Sequence, residues 1–263
     1  MHPMLNIAVR AARSAGHVID RNRHRIADLT IESKQRNDFV SEVDRQAEAR
    51  IVETLLRAYP DHAILAEEGG VQGEPDSAYR WIIDPLDGTT NFLHGLPHFA
   101  VSIALEHQGK LLLGLVYNPV SEELFVAERG NGAYLNNRRI RASKRRGLDG
   151  ALLATGIPFN QDRNFERFID TISGFYGPIA GVRRFGSAAL DLAYVACGRY
   201  DGYWEYGLKT WDMAAGALLV REAGGVVIEP SGGEDYLTSG NVIAANPKLT
   251  HQMLQSIQQA TAD

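Results

Sequence analysis

Two segments near the start of the chain have apolar residues at helical spacing. These are Leu5, Val9, Ala12 and Gly16 in the first segment, and Val43, Ala47, Ile51, Leu55 and Leu56 in the second. Apolar residues three or four positions apart share one face of a helix, so both segments are predicted to be helices. The second ends before Pro60, which cannot continue a helix. Between the two helices, the residue types in TIESKQRNDFV (30–40) alternate and are followed by a turn, which predicts a short extended segment.

Patterns typical of strands follow between residues 63 and 128. AILAEE (63–68) and YRWIID (79–84) indicate short strands, and each ends in carboxylates. The second is a continuous apolar run, as expected for a strand covered on both faces. Residues 98–128 predict three strands joined by turns at Gln108-Gly109 and Asn118-Pro119.

Strands and helices alternate in the last part of the chain. The predicted strands are ALLATG, GYWEY, GVVIEP and NVIAAN, and the predicted helices span about 163–175, 187–197, 212–223 and 247–260. Such alternation predicts helices layered on a sheet. A segment rich in Gly, Asn and basic residues, 129–147, precedes it. We therefore predict an N-terminal α+β half, 1–145, with metal-binding strand ends, and a C-terminal α/β half, 146–263, that completes the site.

Composition restricts the class of protein further. The 27 basic and 32 acidic side chains give a net charge of −5, so no global charge attracts nucleic acid or an anionic membrane. No stretch approaches the roughly 20 apolar residues that span a bilayer. Cys197 is the only cysteine, which excludes an intrachain disulfide and a thiolate metal cluster. A protein without a membrane association, in a reducing cytoplasm, is the expectation.

The candidate metal-binding and phosphate-binding residues lie around a pair of aspartates. Asp84 and Asp87 flank Pro85-Leu86 at the end of an apolar strand, and Gly88-Thr89 begins a predicted helix. Two like charges this close raise a carboxylate pKa unless a cation neutralises them. Mg²⁺ prefers oxygen ligands and commonly bridges carboxylates to a substrate phosphate. Gly88 would let a phosphate oxygen approach the backbone, and Thr89 supplies a hydroxyl beside it.

Other acidic residues are candidates for the same site. Glu67 ends the preceding strand, Asp212 lies at the start of a helix, and Asp44 is a further candidate. The sequence has no cysteine cluster, which argues against a thiolate zinc site. Local alternatives remain at this point: Asp-Pro-Leu-Asp-Gly also favours a plain turn, and Asp212 also suits a helix N-cap.

Two segments resemble the signatures of a known family. WIIDPLDGTTNF (81–92) and WDMAAGALLVREAGG (211–225) are similar to the two signatures of the inositol monophosphatase family, in the expected order and separation. The resemblance covers nearly the whole chain and points to the bacterial branch of the family. It implies a layered αβαβα sandwich of the sugar-phosphatase type, two or three Mg²⁺ ions per active site, inhibition by lithium, and a homodimer.

The resemblance also implies roles for individual residues. The family's metal ligands match Glu67, Asp84, the carbonyl of Leu86, Asp87 and Asp212, with Asp44 near a further, weaker metal. The family's catalytic and phosphate-binding groups match Glu67, Asp87, Gly88 and Thr89, with Glu67 and Thr89 orienting the attacking water. The family's substrate contacts match Leu86, Asp87, Gly88, Thr89, Arg183, Gly186, Ser187, Ala188, Glu205 and Asp212. Some relatives have threonine at position 187, which leaves substrate preference open.

The function implied is hydrolysis of a small phosphate monoester, above all myo-inositol monophosphate, by metal-activated water without a covalent phosphoenzyme. Fructose bisphosphate or a 3′-phosphorylated nucleotide are alternative substrates. A third interpretation is a metal-free glycosidase that uses two carboxylates. The activity of such an enzyme would not be affected by a chelator.

A binding role is the alternative of a different class. The bacterial branch includes members associated with ribosomal RNA transcription antitermination through the Nus factors. Two basic runs, Arg21–Arg25 and Arg138–Arg146, are the candidate docking surfaces. Charge runs of this kind are more often ordinary solvated faces.

Overall fold

The computed structural model describes residues 2–26, 29–35, 38–74, 76–158 and 163–261. Within these ranges the chain forms eight helices and fifteen strands in three sheets. The helices are α1 (Pro3–Asn22), α2 (Glu42–Ala58), α3 (Thr89–Leu93), α4 (Arg163–Phe175), α5 (Ala188–Ala196), α6 (Thr210–Glu222), α7 (Tyr236–Ser239) and α8 (Pro247–Ala260). The strands are β1 (Ile31–Gln35), β2 (Asp38–Ser41), β3 (Ala63–Ala66), β4 (Gly70–Gly73), β5 (Tyr79–Asp87), β6 (Ala100–His107), β7 (Lys110–Asn118), β8 (Glu123–Glu128), β9 (Gly132–Leu135), β10 (Arg138–Arg139), β11 (Leu152–Thr155), β12 (Gly181–Arg183), β13 (Gly202–Glu205), β14 (Val226–Ile228) and β15 (Val242–Ala245).

The first large sheet has eight strands in the order β10-β9-β8-β7-β6-β5-β3-β4. β3 and β5 run parallel, whereas β6 to β9 form an antiparallel meander. Helices α1 and α2 pack against each other and cover one face of this sheet. The core between them contains Ile19, Ile51 and Leu55 from the helices and Trp81 and Ile83 from β5, all fully buried. Burial of this many large apolar side chains, at about 2 kcal/mol each, holds β5 rigidly.

Helices α5 and α6 form the middle layer, because α6 packs on the other face of the same sheet and α5 reaches the second sheet. Glycines permit the close packing. A Cβ on Gly114 of β7 would lie 2.7 Å from the carbonyl oxygen of Ala215, and a Cβ on Gly216 would lie 2.5 Å from Cβ of Leu192. The middle of α6 therefore packs closely against both β7 and α5.

The second large sheet has five strands in the order β12-β11-β13-β15-β14, and α4 and α8 pack together on its outer side. Phe175, Trp204 and Met253 are buried in the core between them. The layers are thus α1 and α2, the eight-stranded sheet, α5 and α6, the five-stranded sheet, and α4 and α8. This αβαβα sandwich confirms the predicted fold class.

The predicted elements are present, and the differences are mainly short elements that the sequence did not predict. α6 begins at Thr210, two residues before its predicted start. The short strands β4, β9, β10 and β12 and the four-residue helix α7 were not predicted, because each is too short to show a period. β1 and β2 form an antiparallel pair, and the predicted turn at 36–37 lies outside the described residues.

The predicted division at residue 145 stays a prediction, although that residue falls in the segment that links the two large sheets. None of the helices in the described ranges has the length and apolar character needed to cross a membrane.

Candidate active site

Two acidic strand ends meet because β3 and β5 are parallel neighbours. Glu67 follows β3, and its backbone N–H donates to the carbonyl oxygen of Ile83 at 3.1 Å. Asp84 and Asp87 lie at the end of β5, where the register with β6 shifts between them. Residues three apart on a regular strand point to opposite faces, so this bulge, with its extra residue, turns both carboxylates towards the same side. The Leu86 N–H donates to Asp84 Oδ1 at 3.0 Å and fixes the bulge.

Asp212 reaches the same place from α6. Lys209 is the N-cap of that helix, and its backbone N–H donates to Asp212 Oδ2 at 2.7 Å. The hydroxyl of Ser102 in β6 donates to the Trp211 carbonyl at 3.3 Å, which ties the start of α6 to the sheet. Asp212 therefore lies in the first turn of the helix and beside the strand ends, rather than at the N-cap.

These acidic groups raise one another's pKa values. Burial, then the charges of Glu67, Asp87 and Asp212, hold the pKa of Asp84 well above its ordinary range, and a hydrogen bond with Glu67 adds to the effect. Burial and the charge of Asp87 do the same to the pKa of Asp212. The structure brings together the four predicted acidic ligands, and their mutual repulsion is the kind that a bound cation relieves.

The donor set suits a hard divalent cation. All four side chains offer carboxylate oxygens, which Mg²⁺ prefers. In the described part of the chain, no group of three or more Asp, Glu, His or Cys side chains is arranged so that it could hold a metal ion by itself. An open arrangement is typical of Mg²⁺, which is usually held by one or two carboxylates together with waters and substrate phosphate.

Hydrogen bonds from α5 hold Asp87 in place. The Ser187 hydroxyl donates to Asp87 Oδ2 at 2.6 Å, and the Ala189 N–H donates to the same oxygen at 2.8 Å. Burial raises the pKa of Asp87 to about 6, against the lowering effect of these hydrogen bonds. Ser187 was predicted to contact substrate hydroxyls; its side chain bonds to Asp87, and the substrate contact stays a prediction.

Gly88 makes the turn from β5 into α3 in the left-handed region, with φ 94° and ψ 36°. A Cβ there would lie 3.1 Å from the carbonyl oxygens of both Gly186 and His98. Glycine is therefore favoured both because φ is positive and because there is no room for a side chain. No side chain among the described residues caps α3. The N–H groups of its first turn are thus not engaged by a capping side chain, and phosphate binding by this turn stays a prediction.

Thr89 lies between Asp44 and the bulge. Its hydroxyl is 2.8 Å from Asp44 Oδ1 and 3.0 Å from the Leu86 carbonyl oxygen. The other oxygen of Asp44 accepts hydrogen bonds from the Ser41 N–H at 2.9 Å and from the Ser41 hydroxyl at 2.6 Å. Both oxygens of Asp44 are thus engaged by protein groups, and its nearest functional neighbour is Thr89. Burial raises the pKa of Asp44, whereas these hydrogen bonds lower it.

Asn91 was not predicted as a site residue. Its side-chain amide donates to the carbonyl oxygens of His98 and Phe185, both at 2.7 Å, and so holds the loop before Gly186 against α3. Asn91 is 8% exposed. Its position within the first family signature could have identified Asn91 as a site residue. From sequence alone, however, an asparagine early in a helix cannot be distinguished from a local capping residue.

Glu205 ends β13 and faces the site from the second sheet. The Tyr203 hydroxyl donates to it, and burial raises its pKa to about 7. Arg184, which was not predicted, is close enough to lower the pKa of Glu205.

Arg183, which was predicted, donates from Nη1 to the adjacent Val182 carbonyl at 3.2 Å. Asp191 was also missed, because ALDLAYVA has the pattern of an ordinary buried helix.

Comparison with known proteins agrees with this architecture. Residues 1–262 match the inositol monophosphatase family. The Nus factor SuhB of Pseudomonas aeruginosa is 53% identical over 262 residues, covering 98% of this chain and 97% of that protein. The crystal structure of extragenic suppressor protein suhB from Bartonella henselae has a TM-score of 0.95 at 46% identity, covering 98% of this chain and 99% of that chain. Inositol monophosphate-bound SaIMPase-II has a TM-score of 0.82 at 25% identity, covering 98% of this chain and 95% of that chain.

The fold and the acidic strand ends define a protein of the sugar-phosphatase class. Within that class, the chain belongs to the inositol monophosphatase family. Membership supports phosphatase activity in a generally metal-dependent family.

Proposed function

We propose that this protein hydrolyses small phosphate monoesters with Mg²⁺ as cofactor, and that myo-inositol monophosphate is its preferred substrate. The observation that carries the proposal is the group of mutually repelling carboxylates, Glu67, Asp84, Asp87 and Asp212, beside the Gly88 turn. SaIMPase-II, with the same fold, binds inositol monophosphate, which supports the choice of substrate.

The groups that would hold two or three Mg²⁺ ions are the carboxylates of Glu67, Asp84, Asp87 and Asp212 and the carbonyl of Leu86. When bound, Mg²⁺ lowers the pKa of a water and neutralises charge on the phosphate oxygens. Ser187 and Ala189 keep Asp87 oriented through their hydrogen bonds to its Oδ2. The amides of Gly88 and Thr89 would bind the phosphate oxygens, which carry the shifting charge during in-line displacement.

Thr89 and Asp44 can orient the attacking water. A threonine hydroxyl has one proton to donate and lone pairs to accept with. If Thr89 donates to Asp44 Oδ1, its oxygen can accept a hydrogen bond from the water, with Glu67 on the other side. The two hydrogen bonds from Ser41 fix Asp44 for this task. In this proposal Asp44 acts mainly through Thr89, and its role at a weaker metal stays a prediction.

The leaving group would lie between the turn at Gly186 and the end of β13. Gly186 and Ala188 would offer backbone groups to its hydroxyls, and Glu205 a carboxylate that accepts from them. Arg183 stays a predicted contact of this subsite.

The test is a substrate panel assayed with Mg²⁺, with a chelator, and after Mg²⁺ is restored. We expect the highest kcat/KM for inositol monophosphate over fructose bisphosphate and adenosine bisphosphate, and a loss of about a hundredfold or more on chelation that Mg²⁺ reverses. Activity that survives the chelator would contradict the metal assignment. Faster hydrolysis of either bisphosphate would replace inositol monophosphate as the substrate.

A second role is supported by the names of the relatives. We propose that the protein also binds the transcription antitermination machinery through the Nus factors, as a relative 53% identical over 98% of this chain is named a Nus factor. Such a role would place it in the cytoplasm, as its cysteine usage predicts. Arg138 and Arg139 form the exposed edge strand β10, and Arg141 is exposed just after it. This basic edge, residues 138–141, is the candidate docking surface.

Charge reversal of the basic edge tests that surface. Arg138→Glu, Arg139→Glu and Arg141→Glu together are expected to lower capture of Nus factors in a pull-down by about tenfold, because unlike charges become like charges. Phosphatase activity should be unaffected, and Asp87→Asn should leave capture unaltered. Reversal of Arg50 and Arg57 on the exposed side of α2 is the matched control. Unchanged capture by the triple variant would mean that the edge is only a solvated face.

A further inference from the structure

A three-residue loop carries Glu67 to the site. Residues 67–69 join β3 to β4, since Ala66 at the end of β3 pairs with Gly70 at the start of β4. β4 is the last strand of its sheet in the described part of the chain. A short loop beside an edge strand has few contacts of its own, so neighbouring elements have to hold a catalytic carboxylate there in place.

Two consecutive backbone amides fasten this loop to different elements. The Glu67 N–H donates to the Ile83 carbonyl oxygen in β5 at 3.1 Å. The Glu68 N–H donates to Oε2 of Glu48 in α2 at 2.9 Å. Glu48 is 5% exposed, and an apolar side chain at its position would be buried at a lower cost. A role for this hydrogen bond in the site explains why a carboxyl group is retained there.

Gly69 gives the Glu48 carboxyl room beside the loop. A Cβ at position 69 would lie 2.7 Å from Glu48 Oε1, and it would also overlap the end of the Gln72 side chain. The flexible end of Gln72 can move aside. Glu48 cannot give way as easily, because a shift of its carboxyl group would break the bond to the Glu68 N–H.

The same helix also holds Thr89. Asp44 and Glu48 are four residues apart in α2, so their side chains project from one face, about 6 Å apart along the helix axis. Asp44 accepts from the Thr89 hydroxyl at 2.8 Å, while Glu48 accepts from the loop that carries Glu67. Thr89 and Glu67 are the two groups proposed to orient the attacking water. One turn of α2 therefore links them.

We propose that Glu48 is a positioning residue that acts through the Glu68 N–H to hold Glu67 in place, so that α2 fixes Glu67 and Thr89 relative to each other. The proposal deepens the proposed function and rests on it. In this role Glu48 touches neither the substrate nor the reacting atoms. Because Glu67 is also a proposed Mg²⁺ ligand, loss of the hydrogen bond should weaken both metal binding and the chemical step.

Glu48→Ala removes the hydrogen bond. We expect the Kd of Mg²⁺, measured by titration calorimetry without substrate, to rise about tenfold, and kcat at saturating Mg²⁺ to fall about tenfold, because partners of metal ligands contribute about 10–100-fold to affinity or activity. KM for inositol monophosphate should stay within about twofold, because the leaving group contacts other residues. Hydrogen exchange of the Glu68 amide should become faster.

Glu48→Gln separates the hydrogen bond from the charge. Its amide oxygen can still accept from the Glu68 N–H, so the Kd of Mg²⁺ and kcat should stay within about threefold of wild type. Glu53→Ala removes an exposed carboxylate of the same helix, which pairs with Arg50 and Arg57, and is the matched control that should behave as wild type. If Glu48→Gln is as impaired as Glu48→Ala, the charge matters rather than the hydrogen bond, and the proposal is overturned.

Gly69→Ala displaces the Glu48 carboxyl without removing it. Gly69 does not have a positive φ, so alanine adds crowding without backbone strain. We expect about a threefold loss in Mg²⁺ affinity and kcat, and no further loss when this change is added to Glu48→Ala, because residues that act through one bond are not additive. Fully additive losses would contradict the shared hydrogen bond.

A Glu48→Ala variant that loses only thermal stability, and keeps its Kd for Mg²⁺ and its kcat, would show Glu48 to be merely structural and would overturn the proposal. The wild type tests the proposed function in the same assays. If it neither binds Mg²⁺ nor hydrolyses inositol monophosphate, the proposed function itself fails and this inference fails with it.

Discussion

Replacing Asp87 with asparagine is expected to reduce hydrolysis of inositol monophosphate by about a hundredfold or more, a loss of about 3 kcal/mol of barrier stabilisation. The amide is nearly isosteric, so an oxygen remains to accept from the Ser187 hydroxyl and the Ala189 N–H. What disappears is the negative charge at the centre of the carboxylate group. Steady-state kinetics at saturating Mg²⁺ measures the loss.

The same variant should gain stability when Mg²⁺ is removed, and the gain should depend on pH. Burial raises the pKa of Asp87 from 3.8 to about 6. Between these values the unfolded chain releases a proton that the folded protein keeps, so the stability of the metal-free wild type falls as pH rises through this window. Two pKa units correspond to about 3 kcal/mol. Asparagine does not titrate, so the variant avoids this loss, and its advantage should be complete above about pH 6.

Thermal unfolding at pH 4 and pH 8, with chelator and with Mg²⁺, measures the effect. Mg²⁺ should raise the Tm of the wild type at pH 8 much more than that of the variant. Asp20→Asn, on the exposed side of α1, is the matched control and should behave as wild type. Retention of more than about a tenth of wild-type turnover would exclude Asp87 as a required ligand.

Gly88→Ala is expected to reduce activity by about a hundredfold and to destabilise the fold by about 2–4 kcal/mol. Alanine at φ 94° is strained by about 1–3 kcal/mol, and its Cβ would press on the carbonyl oxygens of Gly186 and His98, each 3.1 Å away. These contacts would displace the turn that carries the phosphate-binding amides. A displacement of about 1 Å in a catalytic group costs about a hundredfold in rate.

Gly109→Ala provides the comparison. Gly109 has φ 76° in the turn between β6 and β7, and a Cβ there would have no atom of the described residues within 4 Å beyond its chain neighbours. It therefore reports the strain of alanine at positive φ without the crowding. We expect Gly109→Ala to lose about 1–2 kcal/mol in chemical denaturation and to keep its kinetics. If both variants keep full activity, the Gly88 turn does not hold the phosphate.

The long periodic elements and the acidic strand ends were predictable from local pattern. The continuous apolar run before Asp84 predicted β5, and the carboxylates at two strand ends and at a helix start made Glu67, Asp84, Asp87 and Asp212 candidates for one site. The resemblance to the inositol monophosphatase family supplied Glu205, whereas the parallel pairing of β3 and β5 is seen only in the structure.

What the sequence did not predict depends on tertiary contacts. The bulge that turns Asp84 and Asp87 to one side arises from the register with β6, which no local pattern encodes. The bond between Thr89 and Asp44 joins residues 45 positions apart. Glu48 becomes a candidate only when it is seen to bond to the loop after β3, since its sequence position resembles that of an ordinary helix residue.

The hydrogen bonds from α5 to Asp87 have a consequence for the order in which the protein matures during synthesis. Ser187 follows Asp87 by 100 residues. At about 5–20 residues per second, the ribosome therefore synthesises Ser187 roughly 5–20 s after the carboxylate to which it bonds. Throughout that interval β5 can pair with its neighbours, but Asp87 lacks two of its donors and Asp212 has not yet emerged. Activity therefore begins only after α6 has been synthesised, and a nascent chain whose first sheet alone has folded is not yet a phosphatase.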